Sequence, residues 1–178
     1  MDKLLDCIKT KNVELKGIIK PSDLVIDEKV INYCKENRCG HYGRNFMCPP
    51  NNIGLNIFKK SLEDYSYCII LLYEQEISKS EDKEEFYRVA DALNHILLDI
   101  EKEFKSQGYN KTMALFAGNC RNCKPCKINE GYKKCPYPEK SRPSSESVGV
   151  DVIKTLENMG ISIEFRQDKV TWVGMILV

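Results

Sequence analysis

The sequence predicts an α/β or α+β fold: a mixed sheet of about four or five strands, flanked by helices, with cysteine-rich loops at one end. Three observations support this class. Residues 67–73 and 112–117 are uninterrupted apolar runs of strand length, and residues 82–106 lie between them with the periodicity of a helix. The order strand, helix, strand favours a parallel pair of strands joined by a right-handed crossover.

Each of these three elements has its own signature. The two runs contain no charged residue, which is typical of strands buried on both faces. Gly108 lies just after the helical segment, where a helix end is expected. Apolar residues of that segment recur every three or four positions and form one stripe: Phe86, Val89, Ala90, Leu93, Ile96, Leu97, Ile100 and Phe104.

The remaining segments complete the predicted fold. Residues 13–19 alternate loosely and predict an edge strand that ends at Pro21. Short helices are expected at residues 27–36, 54–65 and 144–159. A C-terminal hairpin is predicted from Ile161 to Phe165, a turn at residues 167–169, and Val170 to Val178.

The composition is that of an ordinary globular chain, except for its cysteines. A chain of 178 residues with 42% hydrophobic residues is expected to form one metal-binding domain, residues 1–178, with a core that needs no metal. Nine cysteines are an odd number, which argues against a complete disulfide framework. With neither a signal peptide nor a membrane span in the sequence, we expect a cytoplasmic protein whose thiols stay reduced.

The strongest motif is Cys120-x2-Cys123-x2-Cys126-x8-Cys135-Pro136, in a loop at about residues 118–143. It is similar to the ligand pattern of bacterial ferredoxins, although its last gap is eight residues instead of three. Thiolates select iron–sulfur clusters or zinc. Three crowded cysteines suit a 4Fe–4S cluster better than the two separate pairs of many zinc sites. We therefore expect a 4Fe–4S cluster here, with zinc as the main alternative and metal-free thiols as a third interpretation.

A second group, Cys34, Cys39 and Cys48, lies in a predicted loop at about residues 34–50. Three ligands leave one coordination position open, for His41 or for an exogenous ligand, and an open position is where metal chemistry takes place. One interpretation is therefore a second cluster with an open iron. The others are a contribution to one shared site and a purely structural role.

Cys68, Cys7 and His95 are weaker candidates for metal ligands. Cys68 lies inside an apolar run and is expected to be a small buried side chain. Cys7 is assigned no role. His95 lies opposite the apolar stripe of the long helix, so a histidine-based metal centre has little support.

Basic residues accumulate around the cysteines, although the net charge is only +1. Residues 120–142 carry seven Lys or Arg against two acids. Arg121 and Arg142 are therefore predicted to bind or tune an anionic cofactor; a solvated basic loop is the alternative. We expect a redox partner protein or an anionic small ligand. Few aromatic residues interleave with the bases, so no nucleic acid is expected, and no membrane partner is expected either.

Two long signatures resemble a known family. The first is Tyr42-Gly43-Arg44-Asn45 followed by Cys48-Pro49-Pro50. The second joins the spacing of Cys120 to Cys126 with Tyr137-Pro138-Glu139-Lys140, Arg142-Pro143 and Val148-Gly149-Val150-Asp151-Val152. Together they resemble the cysteine-rich "predicted metal-binding protein" family, which is frequent in anaerobic bacteria and archaea. The resemblance implies metal binding by the seven cysteines of the two groups and specifies no reaction.

The functional expectation combines the motif and the resemblance. It is an iron–sulfur protein that transfers electrons or carries out redox chemistry on a small ligand in anaerobic metabolism, with one 4Fe–4S cluster or two. The alternatives are a zinc-stabilised, non-catalytic interaction module and a metallochaperone or metal sensor. Whether the protein is an enzyme is left open.

Overall fold

In the part of the chain that the structure describes, four strands and five helices form the fold, with the sheet between two helical layers. The computed structural model describes residues 2–77, 83–164 and 166–178. Within them, the elements in chain order are α1 (Asp2–Lys9), β1 (Glu14–Ile19), α2 (Glu28–Lys35), α3 (Gly54–Ser61), β2 (Cys68–Glu76), α4 (Lys83–Ser106), β3 (Met113–Leu115), α5 (Val152–Asn158) and β4 (Lys169–Leu177).

The sheet has the strand order β1-β2-β4-β3, and every pair of neighbours is antiparallel. The predicted α/β class and strand number are confirmed, but the sheet is not mixed. As predicted, β2 and β3 run in the same direction on either side of α4 in the chain. They are not neighbours, because β4 lies between them and pairs with both.

Alternation along the strands divides the core into two halves. Ile69 and Leu71 of β2 face α4, whereas Cys68 and Ile70 face the opposite helical layer. All four side chains are completely buried. This period of two explains why both apolar runs lack charged residues, since each strand is covered on both faces.

Helix α4 packs directly on β4. Its apolar stripe is buried as predicted, from Val89 to Phe104. Close approach is possible because β4 carries Gly174 opposite Leu97: a Cβ atom at Gly174 would lie 2.5 Å from Leu97 Cδ1. The long helix is therefore fixed against the middle of the sheet. No helix in the described residues has the length and apolarity needed to cross a membrane.

The second strand of the predicted C-terminal hairpin is formed by β4, but the first strand is not, so the hairpin itself is wrong. Residues 161–164 form no strand, and Phe165 lies outside the described residues, as does residue 82 at the predicted start of α4. β4 pairs instead with strands that are distant in sequence: β2 pairs with its full length, and β3 with its residues 175–177. The apolar side chains of Ile161 and Ile163 pack against the core half that contains α5.

The predicted helix at residues 144–159 is divided into two pieces. A 3-10 turn, Glu146–Val148, ends at Gly149, whose φ of +92° is left-handed. Helix α5 then begins after Asp151, whose side chain accepts a hydrogen bond from the Lys154 amide at 2.9 Å. Gly149 also approaches Leu55 closely. The position therefore requires glycine both for its left-handed φ and for its lack of a side chain.

Candidate metal centre

Side chains of α4 hold the outer edge of β3, where the second cysteine loop begins. The Ala117 amide donates to Asn94 Oδ1 at 2.8 Å, and Asn94 Nδ2 donates to the Ala117 carbonyl at 3.1 Å. The Ala114 amide donates to Glu101 Oε2 at 2.8 Å. Both polar side chains are buried. They replace the neighbouring strand that an edge strand lacks, and they fix the point from which the loop leaves the sheet.

Two arginines attach the two ends of this loop to α4. Arg121, directly after Cys120, donates to Asp91 at 2.8 Å and lies over the Tyr87 ring, 4.6 Å from its centroid. At the other end, Arg142 forms a bidentate pair with Glu101, with Nε 2.8 Å from Oε2. The structure thus gives each guanidinium an acidic partner on α4. The role predicted for these arginines at an anionic cofactor stays a prediction.

Glu101 is the centre of the second attachment. Burial alone would raise the pKa of this carboxyl, but hydrogen bonds from Arg142, from Lys105 and from the Ala114 amide outweigh it and hold the pKa below its ordinary value. A buried carboxylate with three donors is a stable anion. It therefore ties the end of the cysteine loop to α4 and β3 at once.

The first cysteine loop follows α2 and folds through tight turns. Asn37 adopts a left-handed φ of 55°, and its Oδ1 accepts a hydrogen bond from the Tyr42 amide at 2.9 Å. The Gly43 amide donates to the Pro49 carbonyl at 2.9 Å. Cys39 is exposed, Cys34 half-buried and Cys48 buried. The loop therefore presents its three thiols at graded depths.

Two asparagines join the first loop to the second. Asn45, which is 2% exposed, donates from Nδ2 to the Cys120 carbonyl at 2.8 Å and accepts at Oδ1 from the Met47 amide at 2.9 Å. Asn129 Nδ2 lies 2.9 Å from both the Arg44 and the Cys126 carbonyl oxygens. The loops are far apart in sequence, yet these contacts hold them side by side.

One serine hydroxyl contacts two of the predicted ligand sulfurs. The Cys120 thiol lies 3.7 Å from Ser141 Oγ, and Cys135 Sγ lies 3.3 Å from the same oxygen. Asn122 Nδ2 donates to Cys120 Sγ at 3.4 Å and, with its other hydrogen, to the Lys140 carbonyl. The sulfurs at the two ends of the motif are therefore neighbours.

The electrostatics connect the thiols of both loops. Burial raises the pKa of Cys48 to about 12, and the thiols of Cys39, Cys34, Cys120 and Cys126 add to this effect. Burial likewise raises the pKa of Cys120, to which Cys135 and Cys126 contribute, and the pKa of Cys123, which Cys126 and Cys135 also raise. All seven cysteines predicted as ligands thus belong to one network. Their assignment as metal ligands stays a prediction.

The other two cysteines lie apart from this network. Burial alone raises the pKa of Cys68 to about 12, and this side chain is fully enclosed in the sheet, as predicted. The pKa of Cys7 is raised by burial and by acids of α4 that include Glu103, not by another thiol. The loop cysteines are therefore distinguished from the rest by position as well as by spacing.

No three His, Cys, Asp or Glu side chains in the described ranges converge tightly enough to hold one metal ion. The tight convergence expected for Cys120, Cys123, Cys126 and Cys135 is thus not formed. Cys120 and Cys135 are connected instead through the Ser141 hydroxyl, which contacts both sulfurs. The donor chemistry nevertheless fits a thiophilic metal, because the network consists of thiols.

His41, the predicted alternative ligand, lines a cleft beside the thiols. The cleft has a volume of about 1020 Å³ and separates both cysteine loops from the N-terminal half of α4. Burial and the nearby Arg121 charge lower the pKa of His41, which favours the neutral imidazole. Cys120, Cys123 and Cys126 line the same cleft.

Several residues that shape the site carry no strong signal in the sequence. Asn129 looks like an ordinary turn residue, and Ser141 lies outside the cysteine spacing. Asn45 belongs to the first family signature, but the signature gives it no role. Asn94 and Glu101 interrupt the apolar stripe of α4, and a buried polar residue in such a stripe is the one signal that could have identified them.

Comparison with known proteins identifies the family. The chain matches the family described as predicted metal-binding protein (DUF2284) over residues 17–178, which include both cysteine loops and the whole sheet except the start of β1. No curated protein and no solved structure gave a significant match. The resemblance seen in the two sequence signatures is confirmed: this chain belongs to the DUF2284 family of predicted metal-binding proteins.

Proposed function

We propose that this protein holds a 4Fe–4S cluster where its two cysteine loops meet. In this proposal the cluster transfers electrons, or serves redox chemistry on a small ligand, in anaerobic metabolism. Cys120, Cys123, Cys126 and Cys135 would be its ligands. Family membership supports the metal, and the choice of an iron–sulfur cluster rests on the thiol-rich donor set and its spacing.

The observation that carries the proposal is the junction of the two cysteine loops: Asn45 and Asn129 join their backbones, and the Ser141 hydroxyl lies against both Cys120 and Cys135. The thiols of Cys48 and Cys120 are buried at this junction. Without a metal, the thiols oppose one another's ionisation. A bound cation reverses this effect, since it stabilises the thiolates.

The three cysteines of the first loop have two roles open to them. They could hold a second cluster, with its fourth position free for a ligand, or support the first cluster from the side. Asn45 and Asn129 favour close cooperation, because they attach the first loop to the backbone of Cys120 and Cys126. In this proposal, the two asparagines hold the loops side by side and so position the thiols.

Purification without oxygen tests the proposal. We expect a brown protein with broad visible absorption that bleaches with dithionite and contains iron and acid-labile sulfide. A colourless protein with about one zinc ion per chain would instead indicate a zinc-stabilised module. Metal that a mild chelator removes without unfolding would indicate a metallochaperone or sensor. Either of these two results contradicts the cluster.

A further inference from the structure

The cleft beside the thiols has two walls of different character. Helix α4 forms one wall, with residues from Lys83 to Asp91, and the two cysteine loops form the other. Its volume of about 1020 Å³ is at the upper end of the range of small-molecule sites, about 300–1000 Å³. It is therefore large enough for a small molecule in addition to a metal centre on the cysteine side.

The charges of the helix wall are largely neutralised. Asp91 is paired with Arg121 at 2.8 Å, and Glu85 with Arg88 at 3.4 Å. These pairs connect acids of α4 with bases that also line the cleft. Lys83 and Glu84 also line this wall and carry opposite charges, so the formal charges on this side sum to about zero.

The loop wall carries positive charge without compensation. Arg44 of the first loop and Lys124 of the second both line the cleft. Within residues 2–77, 83–164 and 166–178, neither forms an ion pair. Asn129 binds the Arg44 carbonyl at 2.9 Å and so fixes the backbone of this arginine beside the second loop. One cation from each loop is therefore available next to the thiols.

We propose that this cleft binds a small oxyanion, organic or inorganic, between Arg44 and Lys124. Charge-assisted hydrogen bonds from an arginine and a lysine are the usual means of holding a carboxylate or a tetrahedral oxyanion. The ligand then lies against the wall that contains Cys120, Cys123 and Cys126. The assignment of this cleft as a redox substrate site rests on the proposed function. Binding of the oxyanion can be measured separately from the cluster.

Isothermal titration of the anaerobically purified protein tests this proposal. The probes are sodium succinate for an organic acid and sodium phosphate for an inorganic oxyanion, each compared with sodium chloride at equal ionic strength. We expect at least one probe to bind more tightly than chloride, and the stronger one shows which source the cleft prefers. Arg44→Gln and Lys124→Gln should each weaken that binding about tenfold, the effect of one charged hydrogen bond.

Lys133→Gln is the matched control. It removes the same charge from the same loop, but Lys133 is exposed and does not line the cleft. Binding no tighter than chloride, or an equal loss in Lys133→Gln, would overturn the proposal. Iron and sulfide are counted on the same samples. A cluster-free protein that binds the probe refutes the cluster alone, and a loaded protein that does not bind refutes the oxyanion site alone.

Discussion

The sheet and the cysteine loops are stabilised in different ways. In the sheet, side chains such as Ile70 and Leu71 are completely buried, and apolar packing from both helical layers stabilises the strands. In the loops, side-chain amides and arginines bind backbone carbonyls and acids, as Asn45 and Arg142 do. Damage to the core should therefore unfold the protein, whereas damage to the loops should first affect the metal centre.

The largest expected change in stability is at a residue of the core. Phe104 of α4 is completely buried, so Phe104→Ala should lower the free energy of unfolding by about 3–5 kcal/mol through lost burial and a cavity. Denaturant titration measures it. Tyr33→Ala, at an aromatic residue that is 67% exposed, should change stability by less than about 0.5 kcal/mol. Equal losses in the two variants would refute the assignment of the core.

The next effect concerns the connection between core and loop. Glu101→Gln removes the charge that Arg142 and Lys105 bind and should cost about 3 kcal/mol, the lower range for breaking a buried ion pair. Glu103→Gln, on the exposed side of the same helix, should cost almost nothing. If both variants unfold at the same denaturant concentration, Glu101 is not the anchor that its contacts indicate.

Glu101 should also make stability depend on pH. Because its pKa in the folded protein lies below the ordinary value, its stabilisation is fully present above the unfolded-state pKa and is lost as the pH falls through the folded-state pKa. The free energy of unfolding should therefore fall less steeply with acidification in Glu101→Gln than in the unchanged protein. Parallel curves in acid would contradict this assignment.

A smaller effect is expected where the two loops meet. Asn45→Ala leaves the Met47 amide without its partner and removes a contact to Cys120, for a cost of about 1–3 kcal/mol. The metal content per folded chain should also fall, because without Asn45 the first loop is no longer held against Cys120. Asn56→Ala, on the exposed surface of α3, is the control, and retained metal in Asn45→Ala would show that the loops act independently.

The smallest expected change in stability is at Ser141, beside the cysteine sulfurs. Ser141 has one hydrogen to donate and contacts both Cys120 and Cys135. Hydrogen bonds to ligand sulfurs raise the reduction potential of a cluster, so Ser141→Ala should shift the potential to more negative values while stability changes by about 1 kcal/mol. Ser141→Thr, which keeps the hydroxyl, should restore the potential; an unchanged potential in Ser141→Ala contradicts the role.

The elements of the core could be predicted from local patterns. The apolar runs became β2 and β3, and the stripe at residues 82–106 became α4, because burial on a sheet selects those periodicities directly. The pairing of the strands could not be predicted from local patterns. The position of β4 between β2 and β3 is a choice among distant partners, and the local pattern at residues 161–178 predicted a hairpin partner instead.

The candidate site was predictable in its ligand types but not in its supports. Cysteine spacing predicts seven thiols as ligands, and this assignment stays a prediction. The contact of Asn45 with Cys120 spans 75 positions of sequence, and that of Arg142 with Glu101 spans 41. Such contacts depend on how α4 and the loops pack together. No periodicity in the sequence announces them.

Iron and acid-labile sulfide, counted per chain in anaerobically purified protein, test most directly whether the two loops share an iron–sulfur centre. We predict about four iron atoms and about four sulfides per cluster, both lost when Cys120 and Cys135 are replaced by serine and both retained when Cys68, enclosed in the sheet, is replaced by alanine. A chain with zinc and no sulfide, or with iron that survives the loss of Cys120 and Cys135, would contradict it.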